Sequence, residues 1–122
     1  MLTHRLCSLI GGDVVNLAGA TLLGELAALI AHARLLLCND TGPSHLAAAL
    51  DTPSVVVSCG GDGGRWAPLD ITLHQVLASY PPCRPCGWQK CPLRHECATA
   101  ITVEAVEAAA LGLASRDHDL HA

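Results

Sequence analysis

Short apolar runs alternate with segments of helical spacing through the first half of the chain, and this alternation is the feature that most restricts its fold. Residues 35–38 and 54–58 have the length and the residue types of buried strands, the second being rich in β-branched side chains. The short connections between helix and strand predict parallel pairing with right-handed crossovers. The expected fold class is therefore α/β, with a three-layer parallel sheet.

The same periodicities give the expected order of elements. The chain opens on a helix, where a nucleotide-binding α/β unit normally opens on a strand, so we expect that a first strand upstream is missing. One domain over residues 1–114 and a frayed tail over 115–122 are predicted. Helices are predicted over residues 2–10, 22–33 with Thr21 as N-cap, 46–50, and 102–113 with Thr102 as N-cap, and strands over 13–17, 35–38, 54–58 and, near an edge, 74–78.

Composition excludes several classes of protein. Of the 122 residues 51% are hydrophobic, which excludes a disordered chain. The formal charge of −4 and a single lysine, Lys90, argue against a general nucleic-acid-binding surface. Neither a membrane-spanning apolar run nor a signal peptide stands out in the sequence. We therefore expect a cytoplasmic, reducing location, where seven cysteines favour thiols or metal ligands over a disulfide framework.

Residues 39–45 form a polar turn between a predicted strand and a predicted helix. Asp40 or Thr41 can act as the N-cap, and Pro43 suits the first turn of a helix. In an open parallel sheet this is where anionic ligands bind, because free N–H groups and the positive end of the helix dipole lie there. The simpler interpretation is a well-capped connection with no ligand, and the local pattern leaves both open.

Each polar group of this turn has a possible part in a phosphate site. The backbone N–H groups of Gly42, Ser44 and His45 would point out of the helix start, and Gly42 has no Cβ to block a phosphate. The hydroxyls of Thr41 and Ser44 can donate to phosphate oxygens, whereas the Asp40 carboxylate can accept from a ribose or sugar hydroxyl. His45 can add a donor to a diphosphate or can pack under the turn.

The glycine-rich loop at residues 60–64 fits no Walker or dinucleotide fingerprint, and a mobile loop is the favoured interpretation. Asp62 and Arg65 are expected to be solvated. Trp66 is expected to anchor the loop, with stacking on a base or sugar as the alternative.

Cys83, Cys86, Cys91 and Cys97 fall within fifteen residues of a proline-rich, irregular segment, 81–97. Four thiolates can close a tetrahedral zinc site, which would be structural because no position stays open, and His95 is a substitute ligand. Three prolines and the lack of a second closely spaced pair argue against it. Structural zinc, packed free thiols and disulfides all remain open.

Several separated segments resemble the family-nine glycosyltransferases, the bacterial lipopolysaccharide heptosyltransferases. Asp-Thr-Gly-Pro-x-His at 40–45 is the most specific of them. The segments that match in order are 16–19, 25–30, 39–49, 62–68, 83–86, 91–93 and 101–104.

The resemblance implies a Rossmann-like domain, the C-terminal half of a GT-B enzyme. That half binds the ADP-heptose donor, and an N-terminal half binds the lipid A–core acceptor and supplies the carboxylate base. The resemblance also implies that the sugar is transferred with inversion and without a required metal ion. The acceptor would hold the enzyme at the cytoplasmic face of the inner membrane. The resemblance places Asp40, Thr41, Gly42 and His45 on the donor's diphosphate and sugar, and Thr21 near its adenosine.

This sequence departs from the family pattern in two ways. The family's aromatic-Gly-Pro-Thr-Asp-Pro segment keeps only its aspartate, Asp62, so the loop is expected to be more flexible and costlier to order. The acceptor domain and the base are not encoded here, so we expect donor binding, no catalytic residue and no transfer by the chain alone. Its partner would be an acceptor domain or a second copy of the chain. The alternatives are a zinc-stabilised interaction module that docks a partner at its sheet edge, and a degenerate remnant.

Overall fold

A computed structural model describes residues 1–61, 67–87 and 89–120 as an α/β unit. It confirms the predicted fold class, a parallel sheet with helices packed on it. The helices are α1 (Leu2–Ile10), α2 (Leu23–His32), α3 (Gly42–Ala49), α4 (Glu96–Thr99) and α5 (Val103–Leu120), and the strands are β1 (Leu36–Asn39), β2 (Ser54–Ser58) and β3 (His74–Ala78).

The sheet has three parallel strands in the order β1-β2-β3. Its centre is β2, where the successive residues Val55 and Val56 are 0% and 1% exposed. Because successive side chains of a strand point to opposite faces, this burial shows that both faces of β2 are covered. The helix α3 packs on β1 and β2, and α5 packs on β2 and β3. The carboxyl ends of the strands therefore share one edge, where the polar turn lies.

Two predicted helix boundaries are confirmed. The helix α1 ends where the two glycines begin, and the Gly11 N–H donates to the Cys7 carbonyl at 3.0 Å with a left-handed φ of 69°. The helix α5 starts directly after Thr102, whose Oγ1 accepts the Ala105 N–H at 3.1 Å.

The predicted strand at residues 13–17 is wrong. These residues are irregular, and Val15 is 75% exposed. Their hydrogen bonds are local, from the Val14 N–H to the Gly12 carbonyl and from the Ala18 N–H to Asn16 Oδ1. An apolar run becomes a strand only when a neighbouring strand takes up its backbone groups, and no strand of the described residues pairs with this segment.

The predicted capping role of Thr21 is also wrong. The N-cap of α2 is Leu22, and its backbone N–H donates to Glu25 Oε2 at 2.7 Å. A carboxylate three residues into the helix reaches back to close this end, so no hydroxyl is needed at Thr21.

The helix α5 extends seven residues beyond its predicted end, as far as Leu120, and the frayed tail over 115–122 stays a prediction. The sequence after Gly112 contains no helix breaker, and Leu113, only 5% exposed, anchors this part of α5. Two long-range hydrogen bonds also hold this part of α5 against the rest of the protein. Arg34 Nη2 donates to the Ala114 carbonyl and Arg116 Nη1 donates to the Thr72 carbonyl, both at 3.3 Å. Among the helices of the described residues, none combines the length and the apolar character needed to cross a membrane.

Candidate functional site

The polar turn lies at the carboxyl end of β1. The Asp40 N–H donates to the Val57 carbonyl at 3.1 Å and so continues the β1–β2 ladder by one residue. Thr41 is then the N-cap, with an extended φ of −145°, and α3 begins at Gly42. The helix starts four residues earlier than the apolar pattern predicts, because Pro43 fits the first turn, where no N–H is required. Gly42 and His45 therefore belong to the positive end of α3.

Three residues of the turn lie at the protein surface. Thr41, Gly42 and His45 are exposed. Apart from the neighbouring residues of the chain and the backbone of α3 itself, no described atom lies within 4 Å of the point where a Cβ of Gly42 would stand. The Thr41 hydroxyl donates to the Asn39 carbonyl at 3.3 Å, an exposed bond that a phosphate oxygen can replace at small cost. This part of the turn has the shape and the donors of an anion site.

Ser44 does not share this exposure. It is 2% exposed, and its hydroxyl donates to the Thr41 carbonyl at 2.7 Å. Its backbone N–H donates to the same carbonyl at 3.0 Å. Both donors that the sequence offers to a phosphate are thus used inside the turn, and this placement favours a structural role for Ser44.

The Asp40 carboxylate is half-buried and held from two sides. Ser58 Oγ, at the end of β2, donates to Asp40 Oδ2 at 3.2 Å. A Cβ added to Gly61 would lie 3.3 Å from the same oxygen, so the backbone of this glycine packs closely against the carboxylate. Burial and, to a smaller extent, the Asp40 charge raise the pKa of the nearby Cys38 thiol. The negative charge of Asp40 is therefore fixed beside the N-terminus of α3.

The remaining predicted donor contacts are spread over different surfaces. Thr21 lines a cavity of about 480 Å³ bounded by α1, α2 and residues 15–19. His45 lines a different cavity of about 360 Å³, between α3 and residues 67–70. Asp40, Thr41 and Gly42 thus lie together at one turn, and His45 extends from this turn to the second cavity. Thr21 lies apart from all four, in the first cavity. Asp62, Arg65 and Trp66 lie outside the described residues.

The cysteines of segment 81–97 are free thiols whose contacts point in different directions. A Cβ on Gly60 would lie 3.1 Å from Cys86 Sγ, whereas the Cys97 thiol neighbours that of Cys59. Burial and this neighbouring thiol raise the pKa of Cys59, while the charge of Arg84 opposes the rise. Within the described residues, no three His, Cys, Asp or Glu side chains converge on one point that could hold a metal.

The sequence pattern does not identify two residues near the turn, Ser58, which donates to Asp40, and Arg84, whose Nη2 donates to Ser58 Oγ at 2.7 Å. Ser58 is the last residue of a predicted strand, so its pattern indicates only a strand residue. Arg84 lies in an irregular segment, 44 residues after Asp40. Neither the spacing nor the local pattern connects them with the turn. The signal that could have identified Ser58 is its position at the carboxyl end of the strand next to β1.

Comparison with known proteins matches residues 3–96 to Glycosyltransferase family 9 (heptosyltransferase). Lipopolysaccharide heptosyltransferase 3 of Escherichia coli strain K12 is 37% identical over 83 residues, which is 68% of this chain and 22% of that protein. Lipooligosaccharide heptosyltransferase 2 of Campylobacter jejuni is 28% identical over 106 residues, or 86% of this chain and 33% of that protein.

The chain thus spans between a fifth and a third of the length of these relatives. No solved structure shows a significant match. The family match covers more than half of the chain and includes the whole turn from Asp40 to His45. The chain belongs to glycosyltransferase family 9, the heptosyltransferases.

Proposed function

We propose that this chain is the donor-binding part of an inverting heptosyltransferase of lipopolysaccharide core synthesis, with an ADP-heptose-like nucleotide sugar as its ligand. The observation that carries the proposal is the exposed N-terminus of α3 with a fixed carboxylate beside it, in a member of family 9. The corresponding architecture is the C-terminal, Rossmann-like half of a GT-B enzyme.

The turn offers complementary groups to the two parts of such a ligand. The N–H groups at the start of α3, with the dipole behind them, suit the diphosphate. The open space beside Gly42 lets a phosphate oxygen approach the backbone. The Asp40 carboxylate repels phosphate and therefore suits a ribose or sugar hydroxyl, which donates to it. Together these groups would fix both the position and the orientation of the donor.

Transfer needs groups beyond this turn. An acceptor hydroxyl must lose its proton as it attacks the anomeric carbon, so a base must face the donor. We propose that the base and the acceptor site come from a second domain or a second copy of the chain, that no metal ion is required for transfer, and that the assembly works in the cytoplasm at the inner membrane, where the lipid-linked acceptor lies.

Calorimetric titration of the chain with ADP-heptose tests donor binding. We expect binding to the unchanged chain and roughly tenfold weaker binding to Asp40→Asn, because the neutral amide accepts a hydroxyl proton less strongly than the carboxylate. The matched control is Asp13→Asn, the same change at an exposed aspartate of the irregular segment 13–17. Equal affinities for all three proteins, or no binding to the unchanged chain, would refute the proposal.

One observation favours a second candidate, a zinc-stabilised interaction module. Cys91 Sγ accepts the N–H groups of Leu93 at 3.3 Å and His95 at 3.4 Å, a pattern that also stabilises thiolate ligands of metals. Zinc held by Cys83, Cys86, Cys91 and Cys97 would require these side chains to converge. Metal analysis of the purified chain separates the candidates: about one zinc per chain, lost in Cys91→Ser, without affinity for a nucleotide sugar, would favour the module. Absence of both properties would indicate a degenerate remnant.

A further inference from the structure

Arg84, from the cysteine-rich segment, spans the carboxyl edge of the sheet. Its Nε donates to the Gly61 carbonyl at 2.9 Å, and its Nη1 donates to the carbonyls of Ser58 at 3.0 Å and Ser79 at 2.7 Å. Its Nη2 donates to Ser58 Oγ at 2.7 Å. The guanidinium also lies over the Tyr80 ring, 4.3 Å from its centre. One side chain thus connects the segments that follow β2 and β3.

The bond to Ser58 orients a hydroxyl that faces Asp40. A guanidinium only donates hydrogen bonds, so Ser58 Oγ must accept from Arg84. The single hydrogen of the hydroxyl is then available for Asp40 Oδ2, 3.2 Å away. Ser58 is 1% exposed, so water competes poorly for either bond. Arg84 therefore determines the direction in which Ser58 donates.

A second route from Arg84 to Asp40 runs through Gly61. Arg84 Nε fixes the carbonyl of this glycine, and the glycine packs so closely that a Cβ would stand 3.3 Å from Asp40 Oδ2. The hydrogen bond from Ser58 and the contact with Gly61 therefore involve the same oxygen, Asp40 Oδ2, and Arg84 holds both residues in place.

We propose that Arg84 is a positioning residue of the nucleotide-sugar site, which fixes the Asp40 carboxylate through Ser58 and Gly61 in the orientation that accepts a donor hydroxyl. This proposal rests on the proposed function. It gives the cysteine-rich segment a role in sugar recognition that requires no metal. Lysine cannot replace Arg84, since a single ammonium lacks the planar fork that reaches four separate acceptor atoms.

The test compares two ligands across three variants. Ser58→Ala removes the relay hydroxyl and leaves the carbonyl bonds of Arg84, whereas Arg84→Lys keeps the charge and loses the fork. We expect both variants to weaken ADP-heptose binding about tenfold, and to bind inorganic pyrophosphate as the unchanged chain does, because pyrophosphate has no sugar hydroxyl to offer Asp40. Arg116→Lys is the control, because this exposed arginine donates to the Thr72 carbonyl, at the opposite end of β3.

A double-mutant cycle isolates the route through Asp40. If Ser58 acts only on this carboxylate, Asp40→Asn combined with Ser58→Ala should bind ADP-heptose no more weakly than Asp40→Asn alone. Equal weakening for both ligands would overturn the proposal, since it would indicate a merely structural role. Unchanged binding of ADP-heptose by Ser58→Ala and Arg84→Lys would overturn it as well.

A readout without ligand separates this proposal from the proposed function. The side-chain carboxyl ¹³C resonance of Asp40 should move in Ser58→Ala and Arg84→Lys, and stay in place in Arg116→Lys. If the unchanged chain binds neither ligand, the proposed function is wrong, and so is the role of Arg84 in sugar recognition. A moved Asp40 resonance would then show only that Arg84 positions the Asp40 carboxylate. An unmoved resonance in a chain that binds ADP-heptose would overturn the positioning role alone.

Discussion

At the scale of single residues, the site depends on which groups are already satisfied inside the protein. Ser44 and Thr41 are both hydroxyl residues of the same turn, yet the Ser44 hydroxyl is buried in a bond to a carbonyl and that of Thr41 is exposed. The sequence treats them alike, since residue type gives the available donors but not their partners. The same holds for Asp40, whose fixed orientation depends on Ser58, a residue of another strand.

Two half-buried thiols, those of Cys38 and Cys59, predict a loss of stability at alkaline pH. Burial raises the pKa of Cys38 and of Cys59, so each thiol ionises more readily in the unfolded chain than in the folded one. Their contribution is complete below the unfolded pKa of about 8.5, and it is lost as the pH rises through the folded pKa. We expect the free energy of unfolding to fall from about pH 8 upward, with a smaller fall in Cys38→Ala and in Cys59→Ala.

Chemical denaturation under reducing conditions between about pH 7 and 10 measures this slope. The control is Cys86→Ala, because this cysteine is exposed and its replacement should leave the slope as it is. A slope that stays the same in Cys38→Ala and Cys59→Ala would contradict the expectation.

At the scale of elements, local patterns predicted those parts whose stability is local. The strand β2 matches residues 54–58 because its β-branched run is visible in the sequence. The strand β3 matches residues 74–78, although its sequence has only one β-branched residue, Val76. The segment 13–17 failed because a strand also requires a neighbour, which a local pattern does not report. The contacts of Arg84 were invisible for the same reason, since they join residues that are 23 and 26 positions apart.

Two glycines at helix positions should respond in opposite directions to the same substitution. Gly112 lies inside α5, and a Cβ there would meet no described atom within 4 Å outside its chain neighbours and the backbone of the helix. Gly112→Ala should therefore raise the free energy of unfolding by about 1 kcal/mol. Gly11 ends α1 with a φ of 69° and a ψ of −177°, a combination that essentially only glycine adopts, so Gly11→Ala should lower the free energy of unfolding by about 1 kcal/mol. Urea unfolding of both variants measures the two effects, and a shift of the same sign in both would contradict this interpretation of the helix ends.

At the scale of the whole molecule, the proposed function assigns this chain the donor-binding surface of a reaction that needs two surfaces. It belongs to glycosyltransferase family 9, and it spans 22% of the length of the Escherichia coli K12 relative and 33% of that of the Campylobacter jejuni relative. Donor binding can be carried by one turn, whereas transfer needs an acceptor and a base placed opposite it. We therefore expect the chain to bind its donor without transferring the sugar.

An assay for release of ADP in the presence of ADP-heptose and lipid A–core acceptor measures transfer. We expect the isolated chain to release no more ADP than a sample without protein. Release of ADP that depends on the acceptor and on the concentration of the chain would show that the chain carries its own base. This result would contradict the proposal that the base comes from a second domain or a second copy.

The central claim is that the turn from Asp40 to His45 binds the donor, and its most direct test is a titration of the ¹⁵N-labelled chain with ADP-heptose, followed by NMR. We expect the largest chemical-shift changes at the amides of Thr41, Gly42 and His45, with smaller changes at Gly61, which packs against Asp40. Shifts confined to the cavity around Thr21 between α1 and α2, or no shifts at all, would contradict it.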